Sequence, residues 1–419
     1  PPTRGGAPRA PRARRARAPA RASARAAARA RARDRRRRET STDAARSMDW
    51  TRRDATRRDA ARARRAMSRA REAPTTFCGL PTLRPDAQAR TRAATPETRG
   101  DARDDANRTR VRKLLLVRHG AKAKTTRGKR DAAEIRRACE AANVDVETAT
   151  TERAGHGVEL VRDADLSDVD AIGVAGGDGT LREAVQGWIE REATGRGDGR
   201  RTPIFAFPCG TGNNYARDLG VFTVADAMAK LKAGNARPVD AVRVSDGVGN
   251  DTISINVVTW GMARDAAETA EGMRWMGGLR YDVAGLIHIL KNKKNNGIIG
   301  VSDSLEGEIV EESNDYLMMF AQNTRCSGRA FAFTPLAQLD DGFFDVVVCN
   351  KGGPMHTKAL FDATKTGGGH VEDRNVSYVK AKRLSLKTAA AESVGIDGEV
   401  TVPTPVHLTA LEGVFTTFR

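Results

Sequence analysis

Short apolar runs alternate with stretches of helical period through the first ordered part of the chain. Lys113-Leu114-Leu115-Leu116-Val117 reads as a strand, and residues 129–142 carry Ile135, Cys139 and Ala142 at helical spacing. Val144 to Ala149 alternate as a second strand, and residues 151–157 form a turn that opens a helix. Ala171-Ile172-Gly173-Val174-Ala175 is nearly all apolar, as a buried parallel strand is. After it Leu181, Ala184, Val185, Trp188 and Ile189 recur at i, i+3, i+4, i+7 and i+8, one face of an amphipathic helix. Pro203 to Phe207 is a further buried strand, followed by a short helix. This strand–helix alternation predicts a doubly wound parallel sheet, whose ligands sit beyond the carboxyl ends of its strands. Thr151, residues 176–180 and residues 210–214 then lie along one crevice.

From about Val239 the pattern changes. Val239 to Val244, Thr252 to Thr259, Tyr316 to Gln322, Phe344 to Cys349, Val376 to Leu386 and Val406 to Leu411 read as strands. A long helical stretch, about Arg264 to Lys291, interrupts them, and another helix covers Met355 to Thr366. The expected organisation is a disordered Arg/Ala-rich tail over 1–110, an α/β domain over 111–237 and a mostly antiparallel β-sandwich domain over 238–419.

Charge changes the picture only for the tail. The 419 residues carry a net charge of +18, but residues 1–110 hold 32 Arg, no Lys and 12 acids, a net +20. The remaining 309 residues therefore sum to −2, so a nucleic-acid reading rests on the tail alone. Residues 1–33 contain no acid, as in an organelle transit peptide, although later acids and the scarcity of Ser argue against one. Cys78, Cys139, Cys209, Cys326 and Cys349 show no paired spacing, so neither a zinc site nor a disulfide framework is indicated. That fits an intracellular, reducing compartment. No apolar run approaches 18 residues, so no transmembrane helix is expected, and a lipid substrate would be reached from the membrane surface.

The chemistry concentrates in two turns. Gly176-Gly177-Asp178-Gly179-Thr180 joins a strand to a helix, where unpaired backbone N–H groups suit phosphate. Pro208-Cys209-Gly210-Thr211-Gly212-Asn213-Asn214-Tyr215-Ala216-Arg217 is a second such turn after a second strand, and two turns at one sheet edge can clamp a polyphosphate. GGDGT followed by P-x-GTGN-x-x-A-R resembles the diacylglycerol kinase catalytic domain, shared by diacylglycerol, sphingosine and ceramide kinases and bacterial lipid kinases. The resemblance runs from about Lys113 to the C-terminus. It implies a β-sandwich domain with a lipid pocket after the nucleotide domain, and phosphoryl transfer from ATP with Mg²⁺ to a lipid hydroxyl.

Phosphoryl transfer needs positioned phosphates, a divalent metal and a base near the acceptor hydroxyl. Gly176, Gly177, Gly179, Thr180, Gly210, Thr211 and Gly212 are expected to hold the ATP phosphates. Asn213 braces the second turn or caps its helix, and Thr151 touches nucleotide in the resembled family or caps the helix that includes His156. Asp178 organises metal and phosphate, accepts the lipid hydroxyl proton or stabilises its turn, and Glu399, in Ile396-Asp397-Gly398-Glu399, is a proton acceptor, a ribose or metal contact, or part of a plain hairpin turn; as bases the two are rivals that the sequence does not rank. Leu339-Asp340-Asp341-Gly342-Phe343-Phe344-Asp345 is similar to a run that holds magnesium away from the transferring phosphate in bacterial relatives. It implies Asp341 as side-chain ligand, with the carbonyls of Gln338 and Phe343. Trp260-Gly261-Met262 and Arg274-Trp275-Met276-Gly277-Gly278-Leu279-Arg280 look like sphingosine kinases, where Arg274 and Arg280 would reach nucleotide phosphates.

Two departures stand out. Val117-Arg118-His119-Gly120-Ala121-Lys122 replaces the family's Asn-Pro-x-x-Gly loop. Where sphingosine kinases carry an acidic pair after Trp-Gly, the second acid meeting the substrate amine, Asp265 matches the first and Ala267 stands at the second. The competing readings are an NAD kinase, which shares GGDGT, and a member that binds nucleotide or lipid without turnover.

Overall fold

A computed structural model describes residues 76–84, 108–196, 202–328, 331–350, 352–398 and 400–419. The transit-peptide reading of residues 1–33 and the proton-acceptor reading of Glu399 lie outside the described residues.

Two two-residue strands come first, β1 (Thr76–Phe77) and β2 (Leu80–Pro81). The α/β domain follows with β3 (Lys113–Arg118), α1 (Gly120–Ala123), α2 (Thr126–Glu140), β4 (Asp145–Thr150), α3 (His156–Arg162), β5 (Ala171–Gly176), α4 (Asp178–Ala193), β6 (Ile204–Pro208), α5 (Asn214–Asp218) and α6 (Val224–Ala233). Its four strands pair in parallel in the order β4-β3-β5-β6. The apolar run of β3 is buried on both faces. Leu115 and Val117 pack with Val161, Leu181, Val185 and Trp188 of α3 and α4. Leu114 and Leu116 pack with Ile135, Cys139, Met228 and Leu231 of α2 and α6. Helices on both faces make the sheet doubly wound. The strand order reverses between β3 and β5, and such a reversal opens a crevice at the strand ends.

The second domain is a predominantly antiparallel β structure. It comprises β7 (Ala236–Asp246), β8 (Asp251–Ser254), β9 (Val257–Gly261), α7 (Met262–Gly272), α8 (Arg280–Lys291), β10 (Asn295–Ser302), β11 (Val310–Gln322), β12 (Phe344–Asn350), α9 (Pro354–Lys365), β13 (Val376–Ala381), β14 (Arg383–Thr388), β15 (Ser393–Ile396), β16 (Val400–Pro403) and β17 (Val406–Phe418). The strands pair in the order β16-β15-β9-β11-β10-β14-β17-β7-β8, with β12 between β11 and β13. The β7–β17 ribbon spans both domains. Val244 and Leu408 sit in the β core, whereas Val239 and Phe415 enter the α/β core and Phe418 stacks edge-on to Phe205 at 5.3 Å. A bulge at Gly413 (φ 57°) takes up the shift in register along this ribbon.

Four expectations change at the level of elements. The strand expected over Thr252 to Thr259 is two strands, because the Ile255–Val257 backbone turns its N–H groups to a buried carboxylate. The strand expected over Val376 to Leu386 bends at Lys382 into β13 and β14. The helix expected over Arg264 to Lys291 is α7, a 3₁₀ turn (Arg274–Leu279) and α8, broken where Gly277 adopts φ 60°. The tail expected over 1–110 contains a folded piece: Phe77 and Cys78 are buried in the β core, Phe77 edge-on to Tyr316 at 6.5 Å. Cys78 and Gly79 form the hairpin turn with φ of 47° and 77°.

Candidate functional site

The site grows from the β5–α4 turn. Gly177 is the extended residue before α4, and Asp178, Gly179 and Thr180 form the helix's first turn, whose N–H groups a helix leaves unpaired. The β6–α5 turn lies directly against it. A Cβ on Gly210 would stand 2.5 Å from the Gly177 Cα and 2.4 Å from Asn213 Oδ1, so only glycine allows this approach. Side chains then lock the two turns together. Asp178 Oδ2 accepts from the Asn214 N–H (3.0 Å) and Oδ1 from the Tyr215 N–H (3.1 Å), the first two amides of α5. Asn213, with φ 53°, accepts from the Gly210 N–H (2.8 Å) and donates to the carbonyls of Pro208 (3.0 Å) and Gly210 (3.2 Å). It is therefore the brace of its turn, with no side-chain cap bond to the helix.

The loop after β3 closes the crevice from the other side. The Gly120 N–H donates to Thr151 Oγ1 (3.0 Å), and a Cβ on Gly120 would come within 1.8 Å of the Thr151 carbonyl oxygen. Thr151 thus ties two strand ends together, while the residue before α3 is Gly155, so Thr151 does not cap it. Lys122 lies over the first turn, its Nζ 3.3 Å from where a Gly177 Cβ would be. Arg118, His119, Lys122 and Arg127 line a cavity of about 150 Å³ with Gly210 and Thr211. Arg127 keeps company with Asp131 (3.6 Å), whereas Lys122 has no acidic partner among the described residues. The loop that lacks Asn-Pro-x-x-Gly thus brings two basic side chains, Arg118 and Lys122, to the same crevice.

The β domain meets the α/β domain one helical turn beyond Asp178. Arg182 is buried and donates to Thr252 Oγ1 (3.2 Å) and Gln186 Oε1 (3.3 Å). Its charge acts on Asp397, in the β15–β16 turn. Asp397 accepts from Ser254 Oγ (2.8 Å) and from the N–H groups of Ile255 (3.0 Å), Asn256 (3.0 Å) and Val257 (2.9 Å). Burial raises its pKa above the usual carboxylate range, against the pull of those donors and of Arg182. The Asp of the I-D-G-E motif is thus a structural clamp. On the other side, Arg325 Nε pairs with Asp218 Oδ1 at 3.0 Å in a buried contact, tying the end of α5 to the β domain. Neither Arg182 nor Arg325 stands in a sequence pattern that marks it.

Other expected site residues sit elsewhere. Arg280 is buried between α7 and α8, 3.3 Å from Glu271 and 2.8 Å from the Tyr281 hydroxyl, with its guanidinium over the Tyr281 ring. These contacts hold it to the helical pair. Arg274 lies in the 3₁₀ turn just before it.

The magnesium reading of Gln338, Asp341 and Phe343 does not fit the loop's geometry. Asp341 Oδ1 accepts from the Phe343 N–H (3.2 Å), and Oδ2 lies 2.6 Å from the ammonium of Lys380. Among the described residues no three His, Cys, Asp or Glu side chains come together as a metal site, so Asp341 would be the one side-chain ligand beside the carbonyls of Gln338 and Phe343. Lys380 was legible in principle, being a charge in register with buried Val376 and Tyr378 on an otherwise apolar strand face.

Comparison with known proteins agrees with this architecture. The diacylglycerol kinase catalytic domain matches residues 113–244, and the YegS C-terminal NAD kinase beta sandwich-like domain matches residues 256–418. Sphingosine kinase 1 of Arabidopsis thaliana is 27% identical over 337 residues, 70% of this chain and 69% of that protein. Diacylglycerol kinase of Bacillus subtilis (strain 168) is 26% identical over 283 residues, 65% of this chain and 84% of that protein. The crystal structure of a diacylglycerol kinase from Bacillus anthracis str. Sterne superposes with a TM-score of 0.54 at 21% identity, covering 74% of this chain and 97% of that chain, a likeness of fold.

Proposed function

Because this chain belongs to the lipid-kinase family marked by the diacylglycerol kinase catalytic domain, we propose that it transfers the γ-phosphate of ATP to the primary hydroxyl of a sphingoid base or a diacylglycerol. The observation that carries the reading is the pair of glycine turns, pressed together at Gly177 and Gly210 and latched by Asp178. Such a cradle admits phosphate where any Cβ would collide. The first-turn amides of α4, the hydroxyls of Thr180 and Thr211, and the side chains of Lys122 and Arg118 are the groups suited to hold ATP. Mg²⁺ bound with ATP would supply neutralisation of the charge on the transferring phosphoryl group.

Of the two rival bases, Asp178 is the less suited, since both its oxygens already accept amide hydrogens. We assign it the positioning of the second turn and leave the hydroxyl proton to Glu399. Arg182, through its contact with Thr252 beside the Asp397 clamp, fixes the β domain against the helix that follows the first nucleotide turn, as transfer to a lipid held in that domain requires.

One observation bears on the lipid. Arg264 Nη1 lies 3.2 Å from Asp265 and 2.7 Å from Glu268, so Asp265 already has a cation, and Ala267 adds no charge. This favours a neutral diacylglycerol, while the name of the Arabidopsis relative favours a sphingoid base. The substrate would be met at a membrane surface. No helix among the described residues is long and apolar enough to cross a membrane, while Trp275, Leu279, Leu286 and Leu290 are exposed on the 3₁₀ turn and α8.

The test is transfer of labelled γ-phosphate from Mg-ATP to sphingosine, diacylglycerol, ceramide and NAD in mixed micelles, with Gly210→Ala as control. Label on a lipid that disappears in the control is the expected result. Label on NAD alone, or on none of the four, would overturn the proposal.

A further inference from the structure

The family reading of the loop after Leu336 calls for a divalent ion, and the chain offers a different cation there. β12 and β13 pair antiparallel with Asp345 directly opposite Lys380. The Lys380 ammonium lies 3.1 Å from Asp345 Oδ2 and 2.6 Å from Asp341 Oδ2, so it bridges the buried strand and the loop. Asp345 is fully buried and its other oxygen accepts from the Tyr378 hydroxyl at 2.5 Å. That hydroxyl in turn accepts from the Leu336 N–H at 3.0 Å. Asp341 closes the circuit by accepting from the Phe343 N–H. The loop from Leu336 to Phe343 is thereby pinned near both ends to carboxylates that share one ammonium.

The same loop anchors the domain junction. The Asp240 N–H donates to the Leu339 carbonyl, Asp240 accepts from the Gly342 N–H, and Leu339 is buried among α/β core residues. Holding this loop therefore holds the seam between the domains. Magnesium needs six oxygen ligands at about 2.0–2.1 Å. Here the carboxylate oxygens that face each other are already filled by nitrogen at hydrogen-bond distance, and an added ion would meet a like charge. Burial works against the charge of Lys380, but Asp345 and Asp341 outweigh it and raise its pKa above the ordinary lysine value.

We propose that the Lys380 ammonium is the resident cation of the 336–343 loop, replacing with a tethered charge the metal ion expected there, so that the loop and the domain seam keep their shape without a bound metal. The proposal does not depend on which lipid is phosphorylated, and it concerns this loop alone, not metal carried in with ATP.

Thermal unfolding of the full chain without nucleotide tests it, in EDTA and in excess Mg²⁺, for the wild type, Lys380→Met and Lys380→Arg. The wild type is expected to melt at the same temperature in both buffers, within about a degree. Lys380→Met should melt several degrees lower in EDTA and recover on titration with Mg²⁺ or Mn²⁺, as a divalent ion enters the vacated space between the carboxylates. Lys380→Arg should stay insensitive to the metal. A wild-type melting temperature that falls on chelation would overturn the proposal. So would a Lys380→Met protein as stable as wild type in EDTA, or one that metal does not rescue. If Lys380→Met fails to fold, the wild-type comparison, with metal content measured after dialysis, decides alone.

Discussion

Replacing Asp178 by Asn separates a latch from a base. In the folded chain the carboxylate accepts two amide hydrogens, from Asn214 and Tyr215, at 3.0 and 3.1 Å. Asn is nearly the same shape but keeps one acceptor oxygen and turns an NH₂ donor toward the second amide. One charge-assisted hydrogen bond is lost, and such bonds are worth about 1.5–3 kcal/mol. The other weakens with the charge, and the favourable meeting of an anion with a helix N-terminus, about 0.3–1 kcal/mol, goes too. Asp178 is only half-buried, so solvent screening puts the sum toward the low end, at about 2–3 kcal/mol. For a domain of this size that lowers Tm by roughly 5 °C. Calorimetry gives the stability, and titration with ATP gives the affinity. The expected pattern is a lower Tm together with ATP affinity weakened at least tenfold, because Gly210 loses its fixed place beside Gly177. Loss of a general base costs roughly 10²–10⁴ in turnover and leaves the fold alone. An Asp178→Asn protein that melts with the wild type, binds ATP normally and fails only in turnover would refute the latch.

Gly210→Ala puts a methyl 2.5 Å from the Gly177 backbone, which cannot give way as a side-chain tip can, so ATP binding measured by titration should fall at least tenfold and Tm should fall with it. Phe77→Ala should cost about 3–5 kcal/mol in denaturant unfolding, since the ring is 2% exposed within the β core. By the same reasoning a chain lacking residues 1–110 should be destabilised by at least as much as Phe77→Ala. Asp397 gives a pH signature. Its folded pKa is raised above 3.8 by burial, so the folded chain retains a proton that the unfolded chain has released. Stability from this group is greatest below pH 3.8 and is lost as pH rises through the raised value. Urea unfolding from pH 3 upward should show that fall, and Asp397→Asn should flatten it while lowering stability at every pH, because the amide cannot accept all four hydrogens.

The parallel sheet was legible because its strands are buried on both faces, so Leu114 to Val117 and Ala171 to Ala175 are continuous apolar runs whatever surrounds them. Glycine turns are legible for a similar reason: a backbone that must pass within 2.5 Å of another backbone excludes every other residue, and that exclusion is written locally at Gly210. The β domain was only partly legible. Asn295–Ser302, Ser393–Ile396 and Val400–Pro403 are short or polar strands that exist because neighbours complete their hydrogen bonds, and no local period announces them. The hairpin at Thr76–Pro81 was hidden by the Arg-rich composition around it, though Phe77 and Cys78 are the apolar pair that the core accepts.

Within the site, residue types and their order along the chain were set by sequence alone: two glycine turns after two strands, an acid in the first, an Asn in the second. What each polar side chain does was decided by tertiary structure. Asp178 could be a base or a latch until the amides of Asn214 and Tyr215 were placed against it. Asp397 could be a hairpin turn or a clamp until the Ser254 hydroxyl and the 255–257 backbone met it from about 140 residues away. Asp341 could hold a metal until Lys380 arrived from across a strand pair. The physical reason is common to all three. A backbone conformation is a property of a few neighbouring residues, whereas a carboxylate's role depends on which donors reach it, and those donors come from parts of the chain that only folding brings together.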